Sequence, residues 1–143
     1  MIDTLGARFA AAGHEIALVG GSVRDALLDR LGKDLDFTTS ARPEQTRLLL
    51  EGWADSIWDA GAAFGTIGAR KGAVHIEITT YRSESYDRTS RKPDVAYGDS
   101  LDDDLVRRDF TVNAMALTLP ARRFVDPHGG MRDLAEAVLR TPG

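Results

Sequence analysis

Two aspartates flank a leucine at Asp34, Leu35 and Asp36, within a short stretch, Lys33–Phe37, that reads as a β-strand. Side chains at positions i and i+2 of a strand point to the same side of a sheet. The spacing therefore places the two carboxylates side by side on one face of the strand. Carboxylates this close repel each other unless a cation neutralises them, and hard oxygen ligands suit Mg²⁺. An isolated aspartate pair is more often an ordinary solvated surface feature, so the neighbouring motifs matter.

The motif Gly20–Ser22 joins an apolar run to a helical pattern. The run Ile16–Val19 predicts a buried strand, and the spacing of apolar residues predicts a helix over Val23–Leu31. Glycines let backbone N–H groups approach a phosphate closely, and a helix N-terminus adds positive potential. Arg24, one turn into this helix, would reach the same anion. Many Gly-Gly turns only join a strand to a helix, so this motif is weak on its own.

A third motif, Arg107–Ala114, places arginine, aspartate and asparagine side chains close together in the sequence. Arginine suits bidentate contacts with phosphate. In this interpretation Asp109 holds an arginine in place or reaches a sugar hydroxyl. A solvated basic helix end has the same composition, so the stretch alone does not choose between the two.

Periodicity and turn residues predict alternating helices and strands along the rest of the chain. Further helices are predicted at 2–12, 43–50, 110–113 and 131–137 and from Leu101, which Ser100 can cap. Further strands are predicted at 56–59, 66–70, 74–80, 115–119 and 124–126, with a hairpin turn at Lys71-Gly72, a turn at 38–40 and a long loop at 81–99. Helices and strands are thus both predicted along the chain, and no internal repeat is evident.

Composition argues against several classes of protein. The chain has 143 residues and no cysteine, so it suits one domain without disulfides or a cysteine-based zinc site. His14, His75 and His128 share no ligand spacing, which favours solvated or locally bonded histidines. No signal peptide or membrane span is evident, so we expect a cytoplasmic protein without a membrane partner.

The net charge of −4 counts mildly against a nucleic-acid partner, because phosphate contacts usually need a basic face. Carboxylates that bind a metal become positive sites when loaded, and arginines cluster locally. We expect that a tight grip on RNA needs more protein than this chain contains.

Together the three motifs resemble those of CCA-adding enzymes (tRNA nucleotidyltransferases) and bacterial poly(A) polymerases. The resemblance runs in order along nearly the whole chain and is carried by Ala17–Leu28, Asp34–Asp36, Ser40–Glu44, Arg108–Ala116 and Asp126–Gly130. It implies an α+β fold like the palm of DNA polymerase β, in which helices flank a small mixed β-sheet. The implied activity is template-independent addition of CMP and AMP, from CTP and ATP, to the 3′ end of tRNA or another RNA.

The resemblance also implies roles for individual residues. Asp34 and Asp36 match carboxylates that hold two Mg²⁺ ions, and Glu77 matches a third catalytic carboxylate on a neighbouring strand. The nucleotide-binding residues implied are Gly20, Gly21, Ser22, Arg24, Arg108, Asp109 and Asn113. An outward glutamate on a strand is usually just solvated, which is the alternative for Glu77.

The resemblance divides the chain into a catalytic head at residues 1–125 and the start of a neck at residues 126–143. In the family, the continuation of the neck selects the nucleotide, and body and tail domains hold the tRNA. We therefore expect partners in a second chain or in further neck and body domains, and weak or unselective activity from this chain alone. Three alternatives stay open: a poly(A) polymerase head, a nucleotide-binding module without catalysis, and a nucleotidyltransferase acting on a small molecule.

Overall fold

The computed structural model describes residues 2–27, 32–60, 65–81, 100–106 and 114–136. The helices in these ranges are α1 (Ile2–Ala11), α2 (Gly21–Leu27), α3 (Pro43–Leu50), α4 (Leu101–Val106) and α5 (Gly130–Ala135). The strands are β1 (Ile16–Val19), β2 (Asp34–Thr39), β3 (Ser56–Asp59), β4 (Thr66–Lys71), β5 (Val74–Thr80), β6 (Ala116–Leu119) and β7 (Arg123–Val125). No helix within the described ranges has the length and apolar character needed to cross a membrane.

The strands within the described ranges form one mixed sheet in the order β3-β4-β5-β2-β1-β6-β7. Strands β2 and β5 run parallel, and every other neighbouring pair is antiparallel. A parallel pair needs a crossover connection, which here consists of α3 and the antiparallel strands β3 and β4. The predicted mixed sheet flanked by helices is confirmed.

Alternation along the two parallel strands separates an apolar side from a polar side. In β2, Leu35 and Phe37 are buried, whereas Asp34 and Asp36 are exposed. In β5 the buried residues are Ile76 and Ile78, and the exposed residues are His75 and Glu77. The buried side faces the main core, to which Leu5 and Phe9 of α1 and Leu50 of α3 contribute.

Strand β1 is buried on both sides, which explains its unbroken apolar sequence. Ile16 and Leu18 belong to the main core. Ala17 and Val19 face the other way and pack in a smaller cluster with Leu105 of α4. The second side of the sheet is thus covered around β1, while the β2 carboxylates lie beyond this cover.

The predicted turn at Thr38–Ser40 is wrong for its first two residues, because Thr38 and Thr39 continue β2 opposite Thr79 and Thr80. Both hydroxyls find backbone acceptors. Thr38 Oγ1 donates to the carbonyl of Thr79 at 3.2 Å, and Thr39 Oγ1 donates to the carbonyl of Glu15. Buried β-branched residues with satisfied hydroxyls fit a strand better than a turn.

The β4–β5 hairpin turns one residue later than predicted, at Gly72-Ala73, because Lys71 still pairs with Val74. Gly72 has a φ of 61°, a conformation that glycine adopts without strain. The predicted helix at 110–113, the end of the helix at Leu31 and the loop beyond Tyr81 lie outside the described residues.

The Asp126–Gly130 motif forms a capped helix start. The backbone N–H groups of Gly130 and Met131 donate to the two carboxylate oxygens of Asp126, at 2.6 and 3.0 Å. Otherwise orphaned N–H donors at the beginning of α5 are thereby satisfied.

Gly6 sets the distance between α1 and the end of β6. A Cβ atom added at Gly6 would lie 2.6 Å from Leu119 Cβ and 3.1 Å from the backbone of Pro120. We expect Gly6→Ala to lower the free energy of unfolding, because overpacking costs about 1–3 kcal/mol and exceeds the roughly 0.5–1 kcal/mol gained from helix propensity. Urea unfolding measures the change. Thr4→Ala, on the exposed side of α1, is the control, and equal stability of both variants would contradict the expectation.

Asp55 links the segment before β3 to the β4–β5 turn. Its Oδ2 accepts from the N–H of Gly72 at 2.7 Å, and Arg70 Nη1 lies 3.7 Å away. The hydrogen bond from Gly72, followed by the nearby cations, holds the pKa of Asp55 below its ordinary value. A carboxylate with a lowered folded-state pKa stabilises the fold above its unfolded pKa and loses that contribution as pH falls through the folded value.

We therefore expect the stability difference between wild type and Asp55→Asn to be largest near neutral pH and to shrink in acid, below the unfolded-state value of about 3.8–3.9. Asparagine can still accept from Gly72, so the variant isolates the charge. Urea unfolding at a series of pH values measures the difference. A difference that grows on acidification would overturn this assignment.

Candidate active site

Acidic side chains from two adjacent strands meet on the open side of the sheet. The register places Asp34 opposite His75 and Asp36 opposite Glu77. Neighbouring strands lie about 4.8 Å apart, so Glu77 is the nearest cross-strand neighbour of Asp36 on that side. The sequence had predicted the aspartate pair from spacing. The resemblance had placed Glu77 on a neighbouring strand, and the structure pairs it directly with Asp36.

The carboxylates of this row face solvent. The side chain of Asp34 is 91% exposed, and its Oδ1 lies 3.8 Å from His75 Nδ1, beyond hydrogen-bond distance. Asp36 and Glu77 are also exposed. Apolar neighbours on the opposite side, including Leu35, anchor the strands beneath them. The row therefore presents acidic oxygens from a rigid sheet to any molecule that approaches.

Ser22 connects the glycine turn to the acidic strand. Its buried hydroxyl accepts from the backbone N–H of Asp36 at 3.0 Å and donates to the carbonyl of Asp34 at 3.4 Å. Sequence reasoning had assigned Ser22 to nucleotide binding, which stays a prediction. In the structure the Ser22 hydroxyl has a positioning role, because its two hydrogen bonds hold the glycine turn beside both aspartates.

The glycine turn joins β1 to α2 as predicted, but the prediction of a turn at Gly21 and Ser22 is wrong, because both residues already belong to the helix. Gly20 has a φ of 66°, and its carbonyl accepts from the N–H of Val23 at 3.1 Å. Helix α2 begins at Gly21 and packs on β1 and β2. Arg24 lies within α2, but its side chain falls outside what the structure describes, as do all of Arg108, Asp109 and Asn113. Their predicted contacts with nucleotide remain predictions.

A shallow depression of about 230 Å³ covers the acidic row. It is lined by Asp34, Leu35, Asp36, Trp58, His75, Ile76 and Glu77. Sequence reasoning missed Trp58 and His75. His75 was recoverable, because it stands two residues before Glu77 on a strand and so shares its side. No local signal identified Trp58, whose place depends on the pairing of β3 with β4.

The donor set fits a hard divalent cation that keeps much of its coordination shell for other ligands. Among the residues that the structure describes, no three His, Asp or Glu side chains group closely enough to hold a metal ion by themselves. Mg²⁺ is usually held by one or two carboxylates, with water and substrate phosphates as its remaining ligands. Two exposed aspartates on one face of a strand match this mode of Mg²⁺ binding. A closed site whose ligands all come from the protein would not match it.

Comparison with known proteins adds a family to this geometry. The family model of the poly(A) polymerase head domain matches residues 16–140. The chain belongs to this family. A CCA-adding enzyme from Lactobacillus helveticus is 47% identical over 133 residues, which are 92% of this chain and 32% of that protein. This head domain therefore spans about a third of the length of the curated relatives that it matches.

Solved structures agree with the family. The Bacillus stearothermophilus CCA-adding enzyme in complex with CTP has a TM-score of 0.81 and 31% identity, over 98% of this chain and 32% of that one. The Thermotoga maritima CCA-adding enzyme complexed with tRNA has a TM-score of 0.77 and 29% identity, over 99% and 32%. The expected fold, the nucleotidyltransferase palm of DNA polymerase β type, is confirmed.

The dual contact of Ser22 gives a direct test of its positioning role. We expect Ser22→Ala to lower the free energy of unfolding by about 0.5–1.5 kcal/mol, because the part-buried N–H of Asp36 loses its acceptor. Urea unfolding of the whole chain measures the loss. Ser40→Ala, which removes the acceptor of the exposed Glu15 N–H, is the control and should cost less. Equal losses would argue against a special role for Ser22.

Proposed function

We propose that this chain is the catalytic head of a template-independent RNA nucleotidyltransferase, which adds CMP and AMP from CTP and ATP to the tRNA 3′ end. The observation that carries the proposal is the exposed row of Asp34, Asp36 and Glu77 beside a glycine turn. The family match supports the reaction class, and the relatives named CCA-adding enzymes support the substrate.

The chain's own groups have separable tasks in this reaction. Asp34 and Asp36 are the proposed metal ligands, and Glu77 faces Asp36 from the next strand as the third carboxylate. Backbone N–H groups at Gly20 and Gly21, with Arg24, orient the triphosphate. Arg108, Asp109 and Asn113 are the further proposed nucleotide contacts. Most of the rate enhancement would then come from positioning and electrostatics, as is usual for transfer at phosphorus.

Asp34 and Asp36 would hold two Mg²⁺ ions, whose chemistry there would be activation of the RNA 3′-hydroxyl and neutralisation of charge on the triphosphate and the departing pyrophosphate. The exposed carboxylates leave room for phosphate and hydroxyl oxygens in that coordination shell. The rigid placement of both aspartates on β2, fixed by Ser22, keeps the reacting groups in register. No nucleophilic side chain is required, because the RNA supplies the attacking oxygen.

A poly(A) polymerase head is the second candidate, and the family model's own description favours it. The curated relatives favour CCA addition instead.

Residues 1–125 are the proposed head and residues 126–143 the proposed start of a neck. We propose that nucleotide selection depends on neck and body regions or on a second chain. Cytoplasmic location likewise stays a prediction from the sequence.

Incorporation of labelled CTP and ATP into a tRNA that lacks its 3′ CCA tests this proposal. We expect weak, poorly selective incorporation by the wild-type chain in Mg²⁺. Asp34→Asn and Asp36→Asn should each lower it at least about a hundredfold, because both remove a negative ligand while they keep side-chain size. Replacement of Mg²⁺ by excess chelator should have the same effect.

The matched control is Glu44→Gln, which changes an exposed carboxylate in the first turn of α3. It should keep the wild-type level of incorporation. Unchanged activity in both aspartate variants would refute the proposed site. Loss of all incorporation in wild type, with normal Mg²⁺-dependent CTP binding, would favour the nucleotide-binding module. Transfer to a small hydroxyl compound, but not to RNA, would favour a different acceptor.

A further inference from the structure

Trp58 belongs to the same cross-strand row as the proposed catalytic carboxylates. Successive registers place Trp58 opposite Gly68, Gly68 opposite Glu77, and Glu77 opposite Asp36. Directly paired residues share one side of a sheet. Trp58 therefore stands on the open side, about three strand spacings (~14 Å) from Asp36, and lines the same depression.

Gly68 allows the indole ring of Trp58 to lie over β4. A Cβ atom added at Gly68 would lie 2.3 Å from Trp58 Nε1 and 2.5 Å from Cε2, so the ring occupies the space of the missing side chain. The ring also meets His75 edge-on, with centroids 6.0 Å apart and planes at 76°. These contacts hold the ring in place, yet Trp58 remains 37% exposed. The result is a fixed aromatic surface open to solvent.

In the proposed reaction, the two ends of this row would face different substrates. Ser22 fixes the glycine turn, the proposed triphosphate site, to β2. Strands β5, β4 and β3 extend from β2 in the opposite direction from β1, which leads into that turn. Transfer at phosphorus needs the attacking and leaving oxygens roughly in line. With pyrophosphate leaving on the turn side, the attacking hydroxyl approaches from the side of Glu77 and Trp58.

We propose that Trp58 is an acceptor-binding residue, whose indole ring stacks on a nucleobase near the 3′ end of the RNA. The inference rests on the proposed function and deepens it, because it assigns the acceptor to one end of the row. Every nucleobase has a π-face, so stacking on Trp58 tolerates different bases.

Charge also favours stacking over phosphate contact at this place. The row carries Asp34, Asp36 and Glu77, and the nearby Arg70 already donates to the carbonyl of Gly72 and lies 3.7 Å from Asp55. Before metal binds, the local field therefore gives an RNA backbone little attraction. An aromatic contact adds affinity without positive charge, which suits a chain whose net charge is −4.

Tryptophan fluorescence reports this contact directly. The chain has two tryptophans, of which Trp58 is exposed and Trp53 is buried. The probe is a short single-stranded RNA that ends in the tRNA acceptor sequence without CCA, titrated to millimolar concentration. We expect quenching in wild type and in Asp34→Asn, and none in Trp58→Phe, which keeps Trp53. Absence of quenching in wild type at the highest concentration would overturn the proposal.

Steady-state kinetics distinguish acceptor binding from a structural role. We expect Trp58→Ala to raise the KM for RNA by about tenfold and to leave the KM for CTP unchanged, with Trp58→Phe recovering most of the loss. Gly68→Ala should also raise the KM for RNA, because the added methyl group displaces the indole ring from its present position although Trp58 itself is retained. The control is Phe124→Ala, an aromatic residue of similar exposure on the far edge strand β7.

The outcomes separate this inference from the proposed function. If the aspartate variants lose incorporation but Trp58→Ala keeps wild-type RNA binding and KM, the function stands and the role of Trp58 is refuted. If Trp58→Ala raises the KM for CTP instead, and CTP alone quenches Trp58, the ring faces the incoming nucleotide and the proposal is overturned. Equal loss of stability and activity in Trp58→Ala and Trp58→Phe would likewise refute stacking.

Discussion

The parallel pairing of β2 with β5 is the constraint on which the rest of this structure depends. It sets Asp36 opposite Glu77 on the open side, and in the same step places Leu35 and Ile76 in the core. A slip of one residue in either strand would turn carboxylates into the apolar core and leucine or isoleucine outward. Because burial of a carboxylate is so unfavourable, the hydrophobic core holds the acidic row in register.

Local patterns predicted those features that depend on one strand or one turn. The alternation around Asp34 and Asp36 predicted their shared side, and the apolar run before Gly20 predicted a buried strand. Thr38 and Thr39 were misassigned because their hydroxyls are satisfied by partners distant in sequence, which composition does not reveal. The position of Trp58 depends on three successive registers and on the missing side chain of Gly68, so no window of sequence contains it.

The glycine turn and the acidic strand work as one unit because a single buried hydroxyl joins them. Ser22 bonds to the backbone on both sides of Leu35, at Asp34 and Asp36, so it ties the turn to the strand that carries the carboxylates. A site assembled from two segments of chain needs such a link, since small displacements of reacting groups reduce rates strongly. The family resemblance pointed to both segments, but the bond between them came from the fold.

The contact between Gly68 and Trp58 has a consequence for how sequences of this head can diverge. The indole occupies the volume that any other residue at position 68 would claim. A larger residue at 68 is compatible only with a smaller or differently oriented one at 58, although ten positions separate them. Substitutions at the two positions should therefore be correlated among homologues, and a lineage that loses the glycine should either lose the tryptophan or reorient its ring.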